Sequence, residues 1–145
     1  MTELAEFLAI RGYVPLPLAR SAVGHFHTAG TLNGQSVEVL VDTGASCTVV
    51  AMPLVQSLGL SFEMAGDAAG GAGGAMAQFI ITGADFRLGT FTPRVAGLAG
   101  MDFEHINAAL TTQGSTAVDM ILGVDVFDNH AAIIDYSSQT LYLRH

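Results

Sequence analysis

Val39-Leu40-Val41-Asp42-Thr43-Gly44-Ala45-Ser46 sets a carboxylate at the end of an apolar run and follows it at once with small residues. A charge there stands where a strand leaves the core, and Thr-Gly after it favours a tight turn over continued strand. A bare Asp-Thr-Gly occurs by chance in on the order of a few per cent of chains of this length. Taken alone, the triplet is better read as a turn closed by an aspartate cap at a strand end. Its neighbours must decide.

Upstream, an extended stretch from His25 to Thr31 meets Asn33-Gly34, a pair that accepts the positive φ values of a type I′ hairpin turn. Ser36 to Val41 returns as the partner strand, with Val37, Val39 and Val41 alternating with Glu38 and Leu40 so that one face is apolar. Downstream, Pro53 opens a short helix with Leu54, Val55 and Leu58 inward and Gly59 as its stop. Gly66 to Gly74 holds five glycines among nine residues. Further strands are expected at Gln78–Ile81, Phe86–Leu88 and Arg94–Leu98, a surface helix or loop at Phe103–Gly114, and a short buried strand at Met120–Leu122. A helical turn from Gly123 to Asn129 precedes a closing hairpin, Ile133–Asp135 with Thr140–Leu143 around Ser137-Ser138. Many short strands, few helices and frequent glycine turns predict an all-β closed barrel.

Composition bounds what such a barrel can do. With 145 residues, half of them hydrophobic, the chain suffices for one core. A formal net charge of −8 with five Lys and Arg leaves no basic surface for phosphates or anionic lipid, so neither nucleic acid nor a membrane is an expected partner. The start, Met1-Thr2-Glu3-Leu4-Ala5-Glu6, is acidic where a signal peptide is basic, and no apolar run approaches the roughly 20 residues that span a bilayer. The expectation is a soluble, cytoplasmic protein. Cys47 is the single cysteine and reads as a small buried thiol; its spacing to the histidines matches no zinc or nucleophile pattern. His105 and His130 read as surface or loop residues, and Asp102 and Glu104 as a solvated rim.

The loop and its surroundings together resemble the retropepsin-like branch of the aspartic proteases, retroviral and bacterial. The resemblance rests on Asp42-Thr43-Gly44-Ala45, the hairpin Leu32-Asn33-Gly34-Gln35 before it, Leu58-Gly59-Leu60, the glycine-rich segment and Ile121-Leu122-Gly123, in order over roughly residues 24 to 143. It implies a closed acid-protease barrel with one or two short helices, a flap at Gly66–Gly74 that closes over substrate, an arm at 1–23 peripheral to a domain at 24–145, and Ile121-Leu122-Gly123 crossing beneath the catalytic loop. It also implies an endopeptidase acting on a peptide or protein, with Asp42, Thr43 and Gly44 catalytic and Ala45, Ser46, Gly73, Gly74 and Ala75 at the substrate. No cofactor or metal enters such a reaction.

Two carboxyl groups about 3 Å apart cannot both ionise, so they share a proton, and a water between them is activated by one while the other donates to the scissile carbonyl. The sequence holds one such triplet. Asp119, Asp125, Asp128 and Asp135 are not followed by Thr-Gly or Ser-Gly, and Asp119 reads as a solvated carboxylate at a strand end. A C2 homodimer supplies the second group by symmetry. By the same resemblance the Thr43 hydroxyl bonds across the dimer and the Gly44 amide supports the carboxylate. The rival expectation is a retropepsin-fold binding or dimerisation module that does not cut; a small-molecule-binding β-barrel is a third.

Overall fold

Asn33 and Gly34 turn the chain with φ of 49° and 80°, the pair of positive values a type I′ hairpin demands. The turn joins β3 (Phe26–Leu32) to β4 (Gln35–Val41), in antiparallel register from Leu32↔Gln35 to His27↔Leu40. In this computed structural model, which describes residues 2–64 and 78–145, that hairpin is the frame on which the rest is laid.

Before it come α1 (Glu3–Ile10), β1 (Tyr13–Pro17) and β2 (Ala19–Arg20); after it come β5 (Val49–Ala51), α2 (Met52–Ser57) and β6 (Ser61–Met64). The chain continues through β7 (Phe79–Thr82), β8 (Phe86–Arg87), β9 (Leu98–Met101), α3 (Glu104–Thr112), β10 (Met120–Leu122), α4 (Val124–Asn129), β11 (Ile133–Asp135) and β12 (Thr140–Arg144). Nine strands form one mixed sheet in the order β2-β3-β4-β10-β5-β9-β7-β6, with β8 alongside β3; β1, β12 and β11 form a second, three-stranded sheet.

The protein is mostly β, as expected, but three expectations need correction. Among the described residues no ladder joins β6 back to β2, so the strands do not close into a barrel. The last strand, which closure would need, pairs instead with β1 and β11. Among the described residues there are four helices rather than one or two; α1 forms because Thr2 caps it, its side chain accepting from the Ala5 amide. Residues 13–20 are not peripheral: β1 pairs with β12, β2 with β3, and Leu16 and Leu18 lie in the core. The expected flap at Gly66–Gly74, with Gly73, Gly74 and Ala75, lies outside the described residues.

Period-two alternation assigns the side chains to two layers. Val37, Val39, Val50, Met120 and Leu122 point into the main core, while Leu40, Val49 and Ile121, one residue out of step, point to the opposite face. Phe103, Leu110 and Val118 cover that second face from α3 and its flanks. Each such side chain removed from water contributes about 1.5–3 kcal/mol. The strand bearing Asp42 is therefore clamped on both sides. Among the described residues no helix is long and apolar enough to cross a membrane.

Candidate active site

Asp42 is the first residue beyond β4, and its main chain is still held by the sheet: its N–H donates to the Leu122 carbonyl at 3.1 Å. The chain then turns, with the Ala45 N–H donating to the Asp42 carbonyl at 3.1 Å and the Gly44 N–H to the Asp42 Oδ1 at 2.9 Å. One carboxylate oxygen is thereby fixed in direction by the amide two residues on. Thr43 and Ser46 are exposed and Ala45 is half-buried. Among the described residues the Thr43 hydroxyl makes no hydrogen bond.

What holds the loop comes from the far end of the sequence. β10 runs parallel to β4, Leu122 opposite Val41, so Gly123 arrives under the turn. A Cβ on Gly123 would lie 2.5 Å from the Cys47 carbonyl oxygen and 2.8 Å from that of Ala45, distances no side chain tolerates. The glycine is there because two backbones touch. Next to it the Val124 N–H donates to the Ala45 carbonyl at 2.8 Å.

Beside this crossing sits a pair that sequence reasoning missed. The fully buried Thr48 donates from its N–H to Asp125 Oδ2 at 3.0 Å and from its hydroxyl to Asp125 Oδ1 at 2.7 Å. The same hydroxyl accepts from the Gly123 N–H at 3.1 Å, and Asp125 Oδ1 also accepts from the Val126 N–H at 2.9 Å. Thr48 and Asp125 are 77 positions apart, so no local pattern announces them. The available signal was weak: an acid in the first turn of the helix that follows Gly123.

Two of the other candidate acids, Asp119 and Asp135, are occupied elsewhere. Asp119 is not a solvated strand end; it is half-buried, its Oδ2 accepting from the Glu38 N–H at 2.8 Å. Lying beside Glu38, four residues back from Asp42 along the strand, it is about 13 Å from the loop. Asp135 accepts from the Ser138 hydroxyl at 2.6 Å and the Ser137 N–H at 3.1 Å. The Ser138 hydroxyl, foremost, holds its carboxyl below the usual range, and its role is to shape the β11–β12 turn. Cys47 is half-buried; burial first, then the Asp125 charge, push its thiol up, against a smaller opposing bond from Ser46. That is the reverse of an activated nucleophile. Among the described residues no cluster of His, Cys, Asp and Glu could hold a metal ion.

His130 corrects an expectation: it is 2% exposed, not a surface residue. Its Nδ1 lies 2.7 Å from the Arg144 carbonyl, which can only accept, so Nδ1 carries the hydrogen and Nε2 accepts from the Arg94 N–H at 2.8 Å. It ties the β12 end to the loop before β9.

Asp42 opens onto a depression of about 240 Å³ walled by His25, Phe26, Leu40, Ile134 and Tyr136. The Phe26 and Tyr136 rings meet edge to face at 4.9 Å. The walls mix the Phe26, Leu40 and Ile134 side chains with the polar groups of His25, Thr43 and Tyr136, and Asp42 is the one acid that lines them among the described residues.

A strand-end aspartate pinned by the amide two residues on, above a glycine crossing in a mostly β protein, defines a retropepsin-like aspartic protease fold. The profile of the family described as aspartyl protease matches residues 28–126, and the chain belongs to that family. It is similar in fold to the retroviral protease-like domain of Ddi1 from Leishmania major, with 19% identity over 81% of this chain and 86% of that one and a TM-score of 0.56. It is also similar to a retropepsin-like aspartic protease from Rickettsia conorii, with 18% identity over 92% and 90% of the two chains and a TM-score of 0.52. A third similar structure is the EIAV protease in complex with the inhibitor HBY-793, with 20% identity over 71% and 85% and a TM-score of 0.52. Among curated proteins nothing matches the chain.

Proposed function

We propose that the protein is a homodimeric endopeptidase in which Asp42 of each copy contributes one carboxyl to a shared, water-activating pair. The observation that carries this reading is the single pinned carboxylate that opens onto a depression lined by no other acid among the described residues. One carboxyl cannot be both the base that takes a proton from water and the acid that returns one to the carbonyl oxygen. Asp119 and Asp125 are committed to backbone elsewhere in the chain, so a symmetry mate is the economical source of the partner. Gly44 fixes the carboxylate, Thr43 bonds across the two loops, and Ala45 and Ser46 border the substrate. Phe26, Leu40 and Ile134 in the wall favour apolar residues beside the scissile bond.

The test is cleavage of a mixed peptide library by the wild type and by Asp42→Asn, with solution mass measured over a dilution series. The expected result is cleavage that falls as the dimer dissociates, is inhibited by pepstatin, and vanishes in the variant while the dimer persists. A shared proton also makes activity lean to acid pH; a rate that climbs steadily into alkaline pH rejects the pair. A wild type that dimerises and leaves every peptide intact would make the chain a binding module.

A further inference from the structure

The three-stranded sheet, in the order β1-β12-β11, has two outer edges, and they differ in kind. On β1, Pro15 and Pro17 alternate with Leu16. The Leu18 N–H, just beyond the strand, donates to the Gln139 carbonyl at 2.9 Å, so the residues in step with Leu18 turn their peptide groups to β12 and the two prolines turn theirs outward. That edge lacks the donors a further strand needs. On β11 the opposite holds. The Arg144 N–H donates to the His130 carbonyl at 2.8 Å, which puts Tyr142 and Thr140 in step with it, facing Ile133 and Asp135 across the ladder. Ile134, between those two, therefore directs its N–H and C=O away from the sheet. Among the described residues no strand pairs with that side. No proline or lysine guards it, and the one acid in β11, Asp135, bends its carboxylate back to Ser137 and Ser138.

The open edge lies beside the candidate active site. Ile134 and Tyr136 share one side of the chain by alternation and wall the depression that also holds Asp42 and Thr43. Tyr136 is 67% exposed, yet its ring is already held, edge to face with Phe26 at 4.9 Å and with the Arg20 guanidinium carbon 5.5 Å from its centroid. Tyrosine and arginine are the residue types on which protein interfaces centre, and side chains ordered beforehand lose little freedom when a partner arrives. A strand edge is also complementary to itself. About a two-fold axis it meets its copy antiparallel, and the residue on the axis gives one N–H to the other chain and takes one in return.

We propose that a second copy of the chain docks along β11, with Ile134 opposite Ile134 of that copy, so that the two three-stranded sheets join into one of six strands. This interface presupposes the homodimer proposed above and gives it a surface. One axis has to relate both the strands and the two Asp42 carboxyls, and the depression that Ile134, Tyr136 and Asp42 share brings these groups to one place on the molecule. Tyr136 of each copy then flanks the axis.

The experiment follows amide hydrogen exchange on ¹⁵N-labelled protein at concentrations above and below the dimer midpoint, which sedimentation fixes. The Ile133 and Asp135 amides, bonded within the sheet, should be protected at both concentrations; the Ile134 amide should gain at least about tenfold protection in the dimer alone. Ile134→Pro deletes the outward donor and none of the donors in the β11–β12 ladder, and should raise the dimer dissociation constant about tenfold or more. Ile134→Val keeps that N–H and should leave the constant within about threefold. If Ile134→Pro fails to fold by circular dichroism, Tyr136→Lys, at an exposed position, decides instead: it sets two like charges beside the axis and should weaken the dimer by a similar factor. A dimer whose Ile134 amide exchanges as fast as in the monomer, or one that Ile134→Pro or Tyr136→Lys leaves equally tight, overturns this interface even where peptides are cut. A dimer with Ile134 protected that leaves every peptide intact keeps the interface and refutes the endopeptidase. A chain that is monomeric at every concentration refutes both.

Discussion

Asp42 and Asp125 lie on either side of one backbone crossing and have been given opposite fates. Asp125 accepts from the Thr48 N–H, the Thr48 hydroxyl and the Val126 N–H. Its oxygens are largely used up, and what it holds is fully buried. Asp42 accepts from the Gly44 N–H and otherwise opens to the depression beside Phe26 and Tyr136. A carboxylate saturated with donors is a strut, because its charge is already answered by the fold. One that is oriented but left with spare acceptor capacity is a reagent waiting for a proton-bearing partner. On the proposed reading, position on the loop does not by itself separate a catalytic acid from a structural one; the count of donors spent on each acid does.

The contrast can be broken at its strongest point first. Asp42→Asn is expected to lower peptide cleavage by at least about 10³-fold, since general acid and base catalysis is lost together. Its melting temperature should stay within a degree or two, because the variant removes a single partly exposed charge. A stability loss as large as that of a core mutation would show that Asp42 is a strut like its neighbour. Gly123→Ala attacks the crossing both acids share. A new Cβ against two carbonyl oxygens forces the loop to move, and we expect about 3 kcal/mol of destabilisation in urea unfolding, with activity lost in step. Asp125→Ala comes next: it strands the Thr48 N–H and hydroxyl in a buried place and should cost about 2 kcal/mol. Residual peptidase activity per folded molecule should survive, and its disappearance would mean Asp125 also enters the chemistry.

The same pair of acids marks how far the sequence could be read. The β3–β4 hairpin was legible because Asn33-Gly34 encodes its turn locally and the valines of β4 encode a face. The turn at Asp42 was legible because two of its hydrogen bonds, from the Gly44 and Ala45 amides, close within three residues. Ile121-Leu122-Gly123 was placed beneath the loop through family resemblance, and the glycine's reason became visible once carbonyl distances could be measured. The second layer was not legible: Leu40 sits on what looked like the polar face of β4 and is buried because α3 (Glu104–Thr112), far along the chain, lies over it. Asp119 and His130 were misjudged, and the Asp125 pairing missed, for one reason. Each is satisfied by backbone groups distant in sequence, and a side chain's burial cannot be inferred from its immediate neighbours when its partners are remote. The open sheet follows the same logic, since where β12 pairs is settled by tertiary competition between edges.

The finest test of the comparison uses Cys47, which sits in the same loop and reports the charge on Asp125. Burial is the first cause that raises its thiol above the ordinary value, and the Asp125 carboxylate is the second. A raised thiol is protonated over a wider range, so alkylation by iodoacetamide should run slower than for a free cysteine at neutral pH and keep accelerating into alkaline solution. The sign for stability runs the same way: the contribution is intact below the unfolded-state value and declines as pH rises, because the unfolded chain releases that proton first. Asp125→Asn removes the Coulomb part and keeps the burial part, so the alkylation profile should move toward lower pH by a small step without reaching that of a free thiol. If the profile does not move, burial alone governs Cys47 and the Asp125 charge is already cancelled by the three donors that surround it. If it moves all the way, the carboxylate dominates, and the sealed, saturated picture of Asp125 on which the contrast with Asp42 rests is wrong.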